Sequence, residues 1–319
     1  MRGFRLSVGG ERGSGNILRK LMNRNQLAIA KYYVIRGELN DVKEPIGGAV
    51  ILQAASLGHL AIVKGLVQAG VDINTANRVS TTPLNAASRE NFVEIVQICI
   101  DAGADLNKAD NEGWTPLYSA AYYGHVEVVQ ALVKAGADLN KANTVGRTPL
   151  TIAVQKGHIK VVKALVAGGE ALNVNQGNLS GSTALHSISH IEAGQTIEAG
   201  QAIEAIQALV NAGADVNMAN DWGGTPLHRA AEIGRVEVVQ AFLRLGASLN
   251  KADNEGWTPL YAAAWWGRTE VVRAFLDAGV DLETRRFPRG KTPLDVAKEK
   301  GYREIVFLLE HARDLRVNM

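Results

Sequence analysis

Residues 115–147 read TPLYSAAYYGHVEVVQALVKAGADLNKANTVGR. Thr115 followed by Pro116 is a helix N-cap and a first-turn proline, whose missing N–H removes no bond at that position, so a helix is predicted from the proline. Gly124 ends it. A second helix is predicted over HVEVVQALVKAG, residues 125–136, with Val126, Val129, Leu132 and Val133 as its apolar face and Gly136 as a left-handed stop. The polar run that follows such a pair, ADLNKADNEG at 104–113, is rich in Asn, Asp and Gly and reads as an extended turn or hairpin.

The phrase T-P-L-x-x-A-A-x-x-G-H returns along the chain, beginning at Thr82, Thr115, Thr148, Thr183, Thr225, Thr258 and Thr292, at intervals of 33, 33, 35, 42, 33 and 34. Stepping back by 33 from Thr82 reaches Ala49, where Ile51, Ala54, Ala55, Gly58 and His59 keep the pattern; another 33 reaches Asn16, the start of a degenerate unit with Leu18, Leu21 and Gly37. Small pairs such as Ala120 and Ala121 cannot form a core within one unit but let a neighbour approach closely, so stability must come from stacking.

With these residues in view, the chain resembles the ankyrin-repeat family over roughly residues 16–312. The resemblance implies an all-α ankyrin-repeat solenoid of helix-turn-helix units with β-hairpin-like fingers, a curved rod of roughly 90 Å if nine units stack about 10 Å apart. The expected organisation is a flexible leader at 1–15 and nine units starting near 16, 49, 82, 115, 148, 183, 225, 258 and 292, then a C-terminal tail at 313–319. Departures from the pattern carry their own expectations. The fourth residue of the phrase is His only at His186 and His228. At Leu52, Asn85, Tyr118, Thr151, Tyr261 and Asp295 the buried polar link made by the family's His is expected to be missing. Unit six has Ala184 in place of Pro and a nine-residue insertion near 190–202, where IEAGQT, IEAGQA and IEAIQA are near-copies of one word. Neutral slippage is the default reading there, and a lengthened helical arm for a second contact is the alternative.

Composition narrows the function. The 319 residues are 46% hydrophobic and 21% charged, ordinary for a folded protein. Thirty-four Lys/Arg against 32 Asp/Glu leave a charge of +2. Residues 1–45 contribute nine and four, residues 285–319 nine and five, so the ends are +5 and +4 and the middle is −7, which argues against a nucleic-acid binder. One cysteine, Cys99, excludes an intrachain disulfide and fits a reducing compartment, with the cytoplasm as the expected location. No run of 18 apolar residues exists, so membrane insertion is not expected. The Arg and Ser content of the first 15 residues also fits an organellar leader.

The chemistry-bearing residues are explained by the repeat. His59, His125 and His158 share one turn position, and His186 and His228 share one helix position, which reads as structural recurrence. His186 and His190 stand at i, i+4, with only Glu192 as a nearby third ligand, so zinc is not expected. Cys99 falls in register with Leu66 and Leu132 and reads as a core residue. No G-x-S-x-G occurs, and GGERGSGN at 9–16 lacks the Lys-Ser/Thr ending of a phosphate loop. No enzyme, metal or cofactor is read from this sequence.

In the family, partner contacts come mainly from the finger tips and the exposed end of the first helix. That implies slots four, three and one residues before the repeat threonine and seven and eight after it. All five tryptophans fall there: Trp222 at −3, Trp114 and Trp257 at −1, Trp265 and Trp266 at +7 and +8. Tyr122 and Tyr123 fill the last two slots in the unit at 115. NKADNEGWTPLY is identical at 107–118 and 250–261, so copying explains one placement but not Trp222, Trp265 or Trp266. Other slots are basic: Arg78, Arg89, Arg147, Lys156, Arg289, Lys291 and Lys300.

The expected function is therefore a non-enzymatic protein-protein interaction module or scaffold, binding a protein or extended segment on a concave, aromatic and basic face. The candidate contact set is Trp114, Tyr122, Tyr123, Arg147, Trp222, Glu255, Trp257, Trp265 and Trp266. A monomer or a subunit of a hetero-complex is expected. The alternatives are a structural subunit of a larger assembly, a stoichiometric inhibitor of an enzyme, and a methyl-lysine reader using Trp257, Trp265 and Trp266 with Glu255, or Trp114, Tyr122 and Tyr123 with Glu112. Aromatics among basic residues also keep nucleic acid as a competing reading.

Overall fold

In the computed structural model the described residues are 46–189, 199–283 and 290–317. The leader, the unit expected at 16, His190, Glu192, the 190–198 part of the insertion, Arg289 and residues 318–319 lie outside them. The chain divides into two compact units, residues 1–144 and 145–319.

In the first unit, α1 (Ile46–Ser56), α3 (Pro83–Arg89) and α5 (Pro116–Tyr123) are the first helices of three repeats, and α2 (Leu60–Gln68), α4 (Val93–Asp101) and α6 (Val126–Lys134) are the second. In the second unit the first helices are α7 (Pro149–Gln155), α9 (Ala184–Ser187), α11 (Pro226–Ile233), α13 (Pro259–Trp265) and α15 (Pro293–Lys300). Their partners are α8 (Ile159–Val166), α10 (Ala199–Asn211), α12 (Val236–Arg244), α14 (Thr269–Asp277) and α16 (Arg303–Val317). Within each unit, first helices pack on first helices and second on second, two layers with the core between them. The last expected insertion residues, 199–202, open α10, and α16 runs into the stretch read as a tail.

The helix starts follow the local chemistry. Thr82, Thr115, Thr148, Thr258 and Thr292 each accept the N–H of the residue three on, with Pro at the first helical position. Thr183, which lacks that proline, opens a helix of only four residues. The alanine pairs Ala86–Ala87, Ala120–Ala121 and Ala230–Ala231 are buried, and Tyr118, Tyr261, Phe242 and Phe275 are the largest side chains fully out of water.

One expectation shifts. The buried face of α6 is Val128, Val129 and Leu132, while Val126 and Val133 are half-buried. At about 100° per residue the true stripe is rotated by about 60° from the expected one, because this helix is covered by α5 as well as by α4. The fingers contain no extended strand among the described residues. Each is a turn closed by its own backbone, as in Asp110 N–H to Trp114 O at 3.1 Å and Asp253 N–H to Trp257 O at 2.9 Å.

Candidate functional site

The finger stem fixes the −1 side chains. The Asp110 carboxylate accepts the N–H groups of Glu112 and Trp114 at 3.0 and 2.9 Å, and Asp253 does the same for Glu255 and Trp257 at 2.9 and 2.8 Å. The preceding repeat holds the carbonyl of the same tryptophan. His228 Nε2 donates to Trp257 O at 2.9 Å, and Asn85 Nδ2 donates to Trp114 O at 2.6 Å. The link expected to be missing at Asn85 is thus present, because an amide supplies the same donor. Asn85 Oδ1 in turn accepts from Ser119 Oγ at 2.8 Å. At Tyr118 the phenol instead accepts from Asn143 Nδ2 at 3.1 Å.

In the first unit Trp114 is half-buried, its ring 5.0 Å from Tyr118 and 4.8 Å from Tyr122, which lies 4.9 Å from Tyr123. Tyr123 is exposed, stacked on His125, with the Arg89 guanidinium 5.7 Å from its ring centre. The second unit repeats the arrangement. Trp257 lies 5.0 Å from buried Tyr261 and 5.1 Å from Trp265, and the Lys300 ammonium stands 4.0 Å above the Trp265 ring. Each cluster therefore has a cation of the protein's own over an outer ring.

The candidate residues separate by burial. Trp114, Trp257 and Trp265 are partly buried platforms, Trp266 is 47% exposed and Trp222 is 64% exposed at its finger tip. Glu255 is exposed on its finger. Arg147 and Trp222 both line a recess of about 450 Å³ between fingers and first helices of the second unit. Ser182 and Gly224 also line it. These two were missed by a reading that searched the slots for large or charged side chains; two consecutive small residues at −1 were the available signal.

The buried histidines are fully bonded, whereas the Ser88 and Ser189 hydroxyls are buried without a hydrogen-bond partner among the described residues. His186 Nδ1 accepts from the Thr183 N–H at 3.1 Å and its Nε2 donates to Gly224 O at 3.0 Å, and burial lowers the proton affinity of both His186 and His228. Cys99 is buried in the core, where desolvation pushes its thiol pKa up to about 12. Among the described residues no cluster of three or more His, Cys, Asp or Glu is placed to hold a metal ion, and no helix is long and apolar enough to cross a membrane.

The family described as ankyrin repeats (3 copies) matches residues 51–143 and 191–286, and the single ankyrin repeat matches 145–179. The chain belongs to the ankyrin-repeat family. Among relatives of this ankyrin-repeat protein, 65 residues are 34% identical to an ankyrin repeat protein of Rickettsia bellii (strain RML369-C), covering 20% of this chain. The chain spans 20% of that relative's length. Among solved structures, the ankyrin repeat domain of Bcl-3, a unique member of the IkappaB protein family, is similar with a TM-score of 0.63 and 26% identity. That match covers 72% of this chain and 98% of the other. Ankyrin repeats are generally protein-interaction modules and generally not enzymes.

Proposed function

We propose that this protein is a non-enzymatic interaction module that receives a protein partner, or an extended segment of one, on the face built from finger tips and first-helix ends. The observation that carries the reading is Trp222, 64% exposed at a finger tip, with Trp266, 47% exposed, at the end of a first helix. An indole held in water is unfavourable unless a partner covers it, and Trp is enriched among residues that dominate binding energy. The partly buried aromatic clusters stiffen their surroundings, so little ordering entropy is lost on binding. A reducing compartment, the cytoplasm first, suits a chain whose one thiol is sealed in its core.

A stoichiometric inhibitor and a subunit of a larger assembly use the same surface and differ in what the partner does when bound. The methyl-lysine reading is weaker, because Lys300 and Arg89 already stand over the outer rings of the two clusters. The test is affinity capture from native lysate by wild type and by a Trp222→Ala, Trp266→Ala double variant of equal helicity. Trp114, Trp257 and Trp265 are left intact because they pack on the tyrosines beneath them. A protein captured by wild type and lost from the variant supports the reading. An identical set captured by both overturns it.

A further inference from the structure

The slot immediately before each repeat threonine runs Arg147, Ser182, Gly224, Trp257, Lys291 through the second unit. Trp257 shows how that slot is filled when large: its ring packs on Tyr261 and Trp265. Ser182 and Gly224 supply no such ring, and the space left is the recess of about 450 Å³, larger than one side chain needs. Its floor is closed to further chemistry, since the Nε2 groups of His186 and His228 are spent on the Gly224 and Trp257 carbonyls.

The rim is polarised. At the end built by the repeat at 148 stands Arg147. At the other end stand Asp253, whose Oδ1 accepts two backbone N–H groups, and the ion pair of Glu232 with Arg229 at 2.7 Å, both members of which line the recess, so that Asp253 alone sets the sign of that end. The exposed Trp222 indole lies on the rim two repeats along from Arg147.

We propose that this recess seats an acidic side chain of an extended partner segment against Arg147, while an apolar residue of the same segment lies on Trp222. The proposal rests on the interaction reading above and specifies its partner. Two helix spacings are roughly 16–20 Å, which an extended chain crosses in about five or six residues, so the acidic and apolar anchors should stand that far apart. A guanidinium offers a carboxylate two parallel N–H donors, which sets the preference for Asp or Glu at the anchor.

The test is selection of random dodecapeptides on the full-length protein. The expected result is enrichment of Asp or Glu with an apolar or aromatic residue about five or six positions away. Arg147→Glu should shift the selected anchor to Lys or Arg, and Arg147→Lys should retain the acidic preference. Ser182→Trp, which restores the ring that Trp257 carries in the same register, should weaken the acidic peptides tenfold or more without lowering helicity. Peptides without acidic bias, acidic peptides indifferent to both Arg147→Glu and Ser182→Trp, or no selected peptide at all would overturn the proposal. The lysate comparison with the Trp222, Trp266 variant stands apart: a captured protein lost there keeps the interaction reading even if the recess selects nothing acidic.

Discussion

His228 Nε2 donates to the backbone carbonyl of Trp257 at 2.9 Å, 29 residues along the chain, while His228 Nδ1 accepts the Thr225 N–H at 3.1 Å. A carbonyl can only accept and a backbone N–H can only donate, so the two contacts together define the neutral ring with its proton on Nε2. One side chain thereby caps its own helix and ties the next finger, and with it an aromatic cluster, to the repeat behind. His228→Ala removes both bonds from buried groups and should destabilise the protein by about 2–4 kcal/mol. His228→Asn should recover part of that loss, as Asn85 makes the same link to Trp114. Urea unfolding of the two variants checks it.

The same geometry makes the fold acid-sensitive. Burial is the main cause lowering the pKa of His186 and His228 in the folded state, outweighing the carbonyl bonds that raise it. Below the ordinary value of 6.5 the unfolded chain binds protons that the folded chain refuses, so stability falls as pH drops through that point and continues to fall until the folded imidazoles titrate. Above it the contribution is constant. Between pH 6.5 and 5 the expected slope is up to about 1.4 kcal/mol per pH unit for each His. A His186→Asn, His228→Asn double variant should flatten a plot of unfolding free energy against pH.

The tryptophans should divide in their effect on stability. Trp222, 64% exposed, loses few contacts on truncation, and Trp222→Ala should move the unfolding free energy by less than about 0.5 kcal/mol. Trp257 packs on Tyr261 and Trp265, so Trp257→Ala should cost about 2–3 kcal/mol. If the two variants melt alike, the division into platforms and exposed anchors is wrong.

What the sequence made legible follows from this contrast. Helix starts were readable because a Thr-Pro pair is a local signal that acts through its own backbone, and Thr115 and Thr258 cap where expected. The slot assignment brought Trp114 to Tyr122 and Trp257 to Trp265, since residues one before and seven after the threonine meet through the finger stem. The buried stripe of α6 was not readable from spacing alone. Val126, Val128, Val129, Leu132 and Val133 are all apolar, and only the direction of the neighbouring helices decides which point inward. The recess was hidden for the opposite reason: it is made by what Ser182 and Gly224 lack.

Cys99 should serve as a silent probe of unfolding. With its side chain sealed in the core and its pKa at about 12, almost no thiolate exists at pH 8, and the sulfur is out of reach of solvent. Iodoacetamide should leave the native protein unlabelled over hours and modify it fully in guanidinium chloride, as read by intact mass. Rapid native labelling would show that the repeats around α4 open readily.

Two glycines with the same backbone sign should respond differently to a methyl group. Gly213 ends α10 at φ +92° with nothing within 4 Å of an added Cβ, so Gly213→Ala should cost only the left-handed strain, about 1–2 kcal/mol. Gly146 holds φ +77° at a finger tip, where a Cβ would come within 2.6 Å of the Leu179 nitrogen and 3.0 Å of its Cγ in the next finger. Backbone cannot yield as a side-chain end can, so Gly146→Ala must push the two fingers apart and should cost clearly more than Gly213→Ala. The displaced tip carries Arg147, on the rim of the recess, so Gly146→Ala should also weaken any acidic peptide that Arg147 holds, whereas Gly213→Ala should leave that binding unchanged. Equal stability losses in the pair would mean that the fingers adjust independently, and the rim would then be too compliant to discriminate among partner side chains.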